Sequence, residues 1–277
     1  MRIAFAQFRI TFGDPDWNRG RSGELISSSD ADLIVLPELC TTGYAFKSRD
    51  EAESLAESAH DGASVTLWKR IAAQKNIHIV AGIAEKDGGK LFNSAVLVCP
   101  SGEVHVYRKT HLFFQEKLWF DPGDTGFPVI DTGIARIGIM ICFDWIFPES
   151  CRTLALAGAD VICHPANLVL PYCQDAMVTR CLENHVFAVT ANRTGSENRS
   201  GVQFNFTGRS RIISPLGEVL EEAPERDDSV QTANVDVSVA RNKQLSDYND
   251  LFKDRRPEFY RLTDTTPEAK ADTKTLV

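Results

Sequence analysis

The chain has 277 residues, 43% of them hydrophobic and 25% charged, an ordinary balance for a soluble folded protein that excludes wholesale disorder. Its 30 basic against 38 acidic side chains give a formal net charge of −8. Lys and Arg occur in runs no longer than two, as at Arg255-Arg256, so the expected partners include no nucleic acid and no membrane. No apolar stretch approaches the roughly 20 residues that span a bilayer. Seven cysteines, an odd number without a C-x-x-C pair, argue against a disulfide scaffold, a zinc site or a redox motif.

In chain order, residues 2–10 read as a strand that opens the chain directly, without a charged leader and cleavage site. A cytoplasmic location with reduced thiols is therefore expected. A polar helix follows over 16–29, then a buried strand Leu33-Ile34-Val35-Leu36 halted by Pro37. Ser64 is placed to cap a helix running to about Gln74. Strands at 78–84 and 91–98 flank the turn Asp87-Gly88-Gly89, and another strand follows at 104–108. Ala135 to Ile141 forms a strand running straight into Cys142, and Pro148 starts a helix to Ala157. A helix at 174–185, a strand at 186–192, a hairpin around Ser214-Pro215-Leu216-Gly217 and a strand at 230–236 complete the series.

Strands alternating with helices indicate an α/β fold. Asp160-Val161-Ile162-Cys163-His164-Pro165 echoes Asp32-Leu33-Ile34-Val35-Leu36-Pro37, and the upstream strands echo each other as Arg2-Ile3 and Arg136-Ile137. Two related β-α-β halves are expected. With no Pro/Gly-rich linker, residues 1–262 read as a single domain, of which 240–262 form a C-terminal arm. Residues 263–277 make a polar tail of disordered composition.

Three strands end on reactive side chains instead of turn residues: Glu38, Lys109 and Cys142. Strand carboxyl ends are where open α/β sheets gather ligands. A lone thiol is mostly protonated near pH 7, so a nucleophilic Cys142 needs a neighbouring base or cation. Glu38 and Lys109 supply one each.

Leu36-Pro37-Glu38, Tyr107-Arg108-Lys109-Thr110-His111-Leu112 and Gly138-Ile139-Met140-Ile141-Cys142-Phe143-Asp144 with Phe147-Pro148-Glu149 resemble, in order and spacing, the signature segments of the nitrilase superfamily of carbon-nitrogen hydrolases. The resemblance extends through Asn93-Ser94-Ala95, Pro122-Gly123-Asp124, His164-Pro165-Ala166-Asn167 and Arg180-Cys181-Leu182-Glu183-Asn184, covering about residues 1–260. It implies a four-layer α-β-β-α sandwich with pseudo-twofold halves. It also implies a Glu38-Lys109-Cys142 triad, a further glutamate at Glu116 that positions Lys109 or orients the substrate, and no cofactor or metal.

Glu38 is then the general base, Cys142 the nucleophile, and Lys109 with the N–H of Phe143 the oxyanion donors. Tyr44, Phe143 and Asn167 are candidate substrate contacts, and Phe113, Phe114, Trp119 and Trp145 candidate pocket walls. Arg180, Arg193 and Arg209 are candidates to reach a substrate carboxylate. The expected substrate is a small amide, with a nitrile or an N-carbamoyl amine as alternatives. The pair Phe143-Asp144 after the nucleophile carries the amide preference, since relatives acting on nitriles more often have Trp-Glu there. Two competing readings are a Cys142 hydrolase or transferase assisted by His164 or His185, and a non-catalytic binding module. A homodimer or higher homo-oligomer is expected, with the mixed apolar and charged 240–260 segment meeting a second subunit.

Overall fold

The structure is a computed structural model that describes residues 1–199 and 201–260; the expected polar tail lies outside the described residues. The first half runs β1 (Arg2–Gln7), α1 (Pro15–Ser28), β2 (Leu33–Val35), α2 (Arg49–Leu55), α3 (Ala63–Lys75), β3 (His78–Asp87), β4 (Lys90–Val98), β5 (Val104–Arg108) and the single turn α4 (Glu116–Trp119). The second runs β6 (Val129–Asp131), β7 (Arg136–Ile139), a 3₁₀ turn Cys142–Ile146, α5 (Pro148–Leu156), β8 (Val161–Pro165), α6 (Cys173–Asn184) and β9 (Phe187–Ala191). The remaining elements are β10 (Ser196–Arg199), β11 (Val202–Asn205), β12 (Arg211–Ile213), β13 (Val219–Glu222), β14 (Ser229–Asn234) and the short α7 (Ser238–Arg241).

Two six-stranded sheets form, ordered β14-β1-β2-β3-β4-β5 and β13-β12-β9-β8-β7-β6. Strands β1, β2 and β3 pack across β8, β9 and β12, while α1 and α3 pair outside the first sheet and α5 and α6 outside the second. This is the expected four-layer α-β-β-α sandwich. Both faces of the inner strands are covered, so they read as unbroken apolar runs instead of alternating ones. Ile3, Phe5, Leu33 and Val35 are as fully buried as Ala4, Ala6 and Ile34.

The halves repeat in detail. β1, β2 and β3 are parallel, as are β7, β8 and β9. At the start of β1 the Arg2 N–H donates to Asp32 (2.6 Å), and at the start of β7 the Arg136 N–H donates to Asp160 (3.0 Å). The carbonyls of the two aspartates accept the N–H of His78 and of Phe187, which open the third strand of each half.

Some elements differ from the sequence reading for local reasons. Ser64 does not cap α3: Gly62 stands at the cap position, and the Ser64 N–H donates to the Glu57 carboxylate at 2.8 Å. The strand before Cys142 stops at Ile139, because the Ile141 N–H is taken by the Asp144 side chain (2.9 Å) and the chain turns out of the sheet. The β10–β11 hairpin is not among the elements expected from the sequence; it belongs to neither large sheet.

The chain divides into two compact units, Met1–Asn242 and one beginning at Lys243. The described part of the latter holds a Gln244–Asp250 bridge and a 3₁₀ turn Pro257–Phe259, with Tyr248 91% exposed. Among the described residues no helix is long and apolar enough to cross a membrane.

Candidate active site

Glu38 follows the end of β2, Lys109 follows β5 and Cys142 follows β7, and all three side chains are buried. Two glycines allow this convergence. A Cβ on Gly82 of β3 would stand 2.5 Å from the Glu38 Cα, and one on Gly123 would stand 2.1 Å from the Arg108 carbonyl oxygen. Neither position accepts a side chain without displacing a reactive segment.

Lys109 Nζ donates to Glu38 Oε1 at 2.6 Å and to the Glu116 carboxylate at 2.8 Å. Glu116, at the start of α4, also accepts the Tyr44 hydroxyl at 2.7 Å. Asn93 on β4 donates to Glu38 (2.7 Å) and to Glu116 (3.3 Å). The other oxygen of Glu38, Oε2, is buried without a hydrogen-bond partner. A buried carboxylate oxygen left open is costly and is the natural place for a proton to arrive.

Cys142 has φ 40°, a left-handed backbone that residues with a side chain rarely adopt. Such strain persists only where the surroundings over-determine it. Asp144 supplies much of that support: its carboxylate accepts the N–H of Ile141 (2.9 Å), the N–H of His111 (3.1 Å), the Tyr107 hydroxyl (2.7 Å) and His111 Nδ1 (2.7 Å). The cysteine loop is thereby tied to the segment carrying Lys109. His164 Nε2–H donates to the carbonyl oxygen of Cys142 at 2.9 Å, and its Nδ1 faces Thr190 Oγ1 at 3.1 Å. Burial lowers the His164 pKa to about 4, so the ring is neutral at ordinary pH. His164 therefore braces the backbone of Cys142, and His185 Nδ1 is engaged by the Asn242 carbonyl.

Burial and then the charge of Glu38 push the Cys142 thiol pKa well up, against the opposing pull of Lys109. The resting sulfur is a thiol and needs a base. Burial disfavours the Lys109 ammonium, but Glu116 and Glu38 outweigh it and hold the lysine protonated. Burial, reinforced by Glu38, raises the Glu116 pKa above the ordinary carboxylate range despite Lys109. Two carboxylates share one ammonium, so Glu116 ionises reluctantly.

A cavity of about 20 Å³ opens at Cys142, lined by Phe113, Phe143, Trp145, Asn167 and Leu168–Leu170. That is room for about one water molecule. Asn167 is buried with both side-chain polar atoms unpartnered. Tyr44 is buried against Phe204 and Phe206. Phe114 is 42% exposed, and Trp119 packs with the cluster around Leu39 and Phe46. No arginine lines this cavity: Arg193 is buried in an ion pair with Glu197, Arg180 donates to the Trp145 carbonyl, and Arg209 pairs with Glu222. Among the described residues, no three His, Cys, Asp or Glu side chains are placed to share a metal ion.

Sequence reasoning gives Asn93 and Tyr107 no role and ties Asp144 only to substrate preference, although all three lie inside the motifs quoted above. For Asn93 the available signal is position, a polar residue inside the mostly apolar strand β4; Tyr107 in β5 and Asp144 in the 3₁₀ turn after Cys142 are marked only by their place in the motifs.

With this geometry, the carbon-nitrogen hydrolase family model matches residues 2–244, and the chain belongs to that family, within the nitrilase superfamily. A protein named nitrilase from Pyrococcus abyssi is 49% identical over 94% of this chain and 99% of its own length. An (R)-stereoselective amidase from a Pseudomonas species is 35% identical over 92% of each chain. The carbon-nitrogen hydrolase from Helicobacter pylori G27 superposes with a TM-score of 0.85 at 25% identity, covering 94% of this chain and 97% of that one.

Proposed function

We propose that the protein hydrolyses the C–N bond of a small, uncharged amide through a thioester on Cys142. The observation that carries this reading is the buried cluster in which Lys109 bridges Glu38 and Glu116 while Glu38 Oε2 stays open. Glu38 takes the thiol proton as Sγ attacks the carbonyl carbon, and Lys109 with the Phe143 N–H stabilises the oxyanion. The tetrahedral adduct expels ammonia or an amine, which takes its proton from Glu38. Water, deprotonated by the same carboxylate, then attacks the thioester, and the carboxylic acid leaves as the thiol regains its proton. Glu116 holds Lys109, and Asn167 is the polar contact for the substrate.

An amide suits Lys109, which meets a developing oxyanion as a fixed ammonium. A nitrile presents nitrogen instead and must first become a thioimidate protonated there, whereas an amide already offers an oxygen to Lys109 and the Phe143 N–H. The apolar lining without an arginine argues for a short, uncharged acyl group, since an unpaired charge there would cost several kcal/mol. Asp144 does not support a substrate preference directly, because its carboxylate is occupied within the protein.

A nitrile substrate is the second reading, favoured by the relative named nitrilase at 49% identity. Ammonia release from matched amide–nitrile pairs, with Cys142→Ala as the blank, separates the two. A tenfold or greater kcat/KM preference for the nitrile overturns the amide assignment.

Homodimer formation belongs to the same proposal. Leu245, Tyr248 and Phe259 are exposed apolar side chains beyond Asn242. A cut after Asn242 tests it, because it keeps Arg241, which pairs with Asp160 at 3.0 Å. Sedimentation as a monomer is expected after the cut; an unchanged oligomer overturns the role of the arm.

A further inference from the structure

The β10–β11 hairpin stands outside both large sheets, yet it reaches the loop that carries Tyr44. Glu197 and Arg199 are two residues apart on β10 and so share a face. The Glu197 carboxylate accepts the N–H of Tyr44 (3.1 Å) and of Ala45 (2.7 Å). Arg199 Nε donates to the Ala45 carbonyl at 3.0 Å, and its guanidinium lies over the Phe12 ring. Arg193 is fully buried, pairs with Glu197, donates to the Ile10 carbonyl at 2.7 Å and covers the Phe206 ring. Gly43, at φ 87°, makes room: a Cβ there would stand 3.0 Å from Glu197 Oε1 and 2.8 Å from the Phe12 Cα. Phe204 on β11, and Phe206 just beyond it, hold the Tyr44 ring edge-on.

We infer that Glu197, fixed by Arg193, is a positioning residue that acts through Tyr44 on Glu116 and so on Lys109. A buried ion pair is an expensive way to hold a surface hairpin and is weak evidence for stability. Here its carboxylate fixes the consecutive peptide N–H groups of Tyr44, whose hydroxyl reaches Glu116 at 2.7 Å, and of Ala45. A loop anchored only by its rings could slide along them. One anchored at its backbone holds the Tyr44 oxygen in place.

The consequence is a pH signature. Glu116 faces the Lys109 ammonium, the Glu38 carboxylate, the Tyr44 hydroxyl and the Cys142 thiol. The Tyr44 hydroxyl, the Lys109 ammonium and, at 3.3 Å, the Asn93 amide donate to its charged form. Misplacing Tyr44 removes one donor, so Glu116 binds its proton more tightly and grips Lys109 only at higher pH. The acid limb of kcat/KM then moves up.

The proposal rests on the catalytic reading above. The test measures pH profiles of kcat and kcat/KM for the full chain and for Glu197→Gln, Tyr44→Phe and their double variant. Glu197→Gln is expected to lower kcat by about tenfold to a hundredfold with KM within about twofold, and to raise the acid limb in the same direction as Tyr44→Phe. The double variant should be little worse than either single one. Arg199→Gln, at a partly exposed position, leaves the buried pair intact and reports on the same loop with a smaller shift should Glu197→Gln fail to fold. Unmoved acid limbs in the folded variants, or additive losses in the double variant, overturn the proposal while a dead Cys142→Ala enzyme keeps the catalytic reading. An active Cys142→Ala enzyme overturns both.

Discussion

The two halves of the sandwich share one scaffold and differ in what stands at its upper edge. Six residues beyond Arg136 the chain reaches Cys142, and six beyond Arg2 it reaches Phe8; six beyond Asp32 it reaches Glu38, and six beyond Asp160 it reaches Ala166. At each of these two matched positions one half carries a reactive residue and the other a fully buried apolar one. The repeated Arg–Asp bonds at the opposite edge fix where the strands begin, and the reactive residues at the other end are free to differ. One site forms between the halves instead of two equivalent ones.

The largest effect that would break this comparison is on turnover. Cys142→Ala, Glu38→Gln and Lys109→Ala are each expected to lower kcat by at least about a thousandfold with the circular dichroism of the parent, and Cys142→Ser should be nearly as inactive. Adding Ala166→Glu should not rescue Glu38→Gln, because the equivalent position in the other half faces different partners. A Glu38→Gln enzyme keeping a tenth of its activity in an ammonia-release assay would refute the base assignment.

Next in size is Asp144→Ala. It leaves donors from Ile141, Tyr107 and His111 without their carboxylate, for an expected loss of about 3 kcal/mol or more in denaturant unfolding. A loss under about 1 kcal/mol would show that the cysteine loop holds its strained backbone without Asp144.

His164 adds a pH-dependent share. Its folded pKa of about 4 lies below the ordinary histidine value of about 6.5, so in acid the unfolded chain takes up a proton that the folded protein refuses. The stabilisation is complete above pH 6.5 and is lost as pH falls toward 4, by up to about 3 kcal/mol. The drop in melting temperature over that range should be smaller in His164→Gln than in the parent; an equal drop would assign it to other groups.

The smallest effect compares the halves directly. The Asp160 side chain is fully buried between Arg136 and Arg241, whereas the Asp32 side chain is 36% exposed beside Arg2. Asp160→Asn is expected to cost about 2 kcal/mol or more and Asp32→Asn less than about 1 kcal/mol. Equal losses in urea unfolding would mean that the two bonds do the same work despite their burial.

Much of the scaffold was legible in the chain. Inner strands covered on both faces must be continuously apolar, so Leu33–Leu36, Ile137–Ile141 and Val161–Cys163 stand out, and a charged or thiol residue placed directly after such a run draws notice. Glu38 and Cys142 were visible for that reason, as was the repeat between the halves, while Lys109 after the edge strand β5 was marked by the motif Tyr107-Arg108-Lys109. Hydrogen-bonded pairs remote in sequence leave no such trace. Glu197, in the polar run Ser196-Glu197-Asn198-Arg199, reads as a surface turn until the fold brings it 2.7 Å from the Ala45 N–H. Tyr44 reads as a candidate substrate contact until its hydroxyl is seen on Glu116. Local pattern marked which residues carry reactive side chains and roughly where strands lie, because burial and periodicity act over a few neighbours. Only the tertiary structure decided which oxygen of Glu38 stays open, which donors hold Glu116 and which side chains brace Cys142, because those depend on contacts between segments tens to hundreds of residues apart.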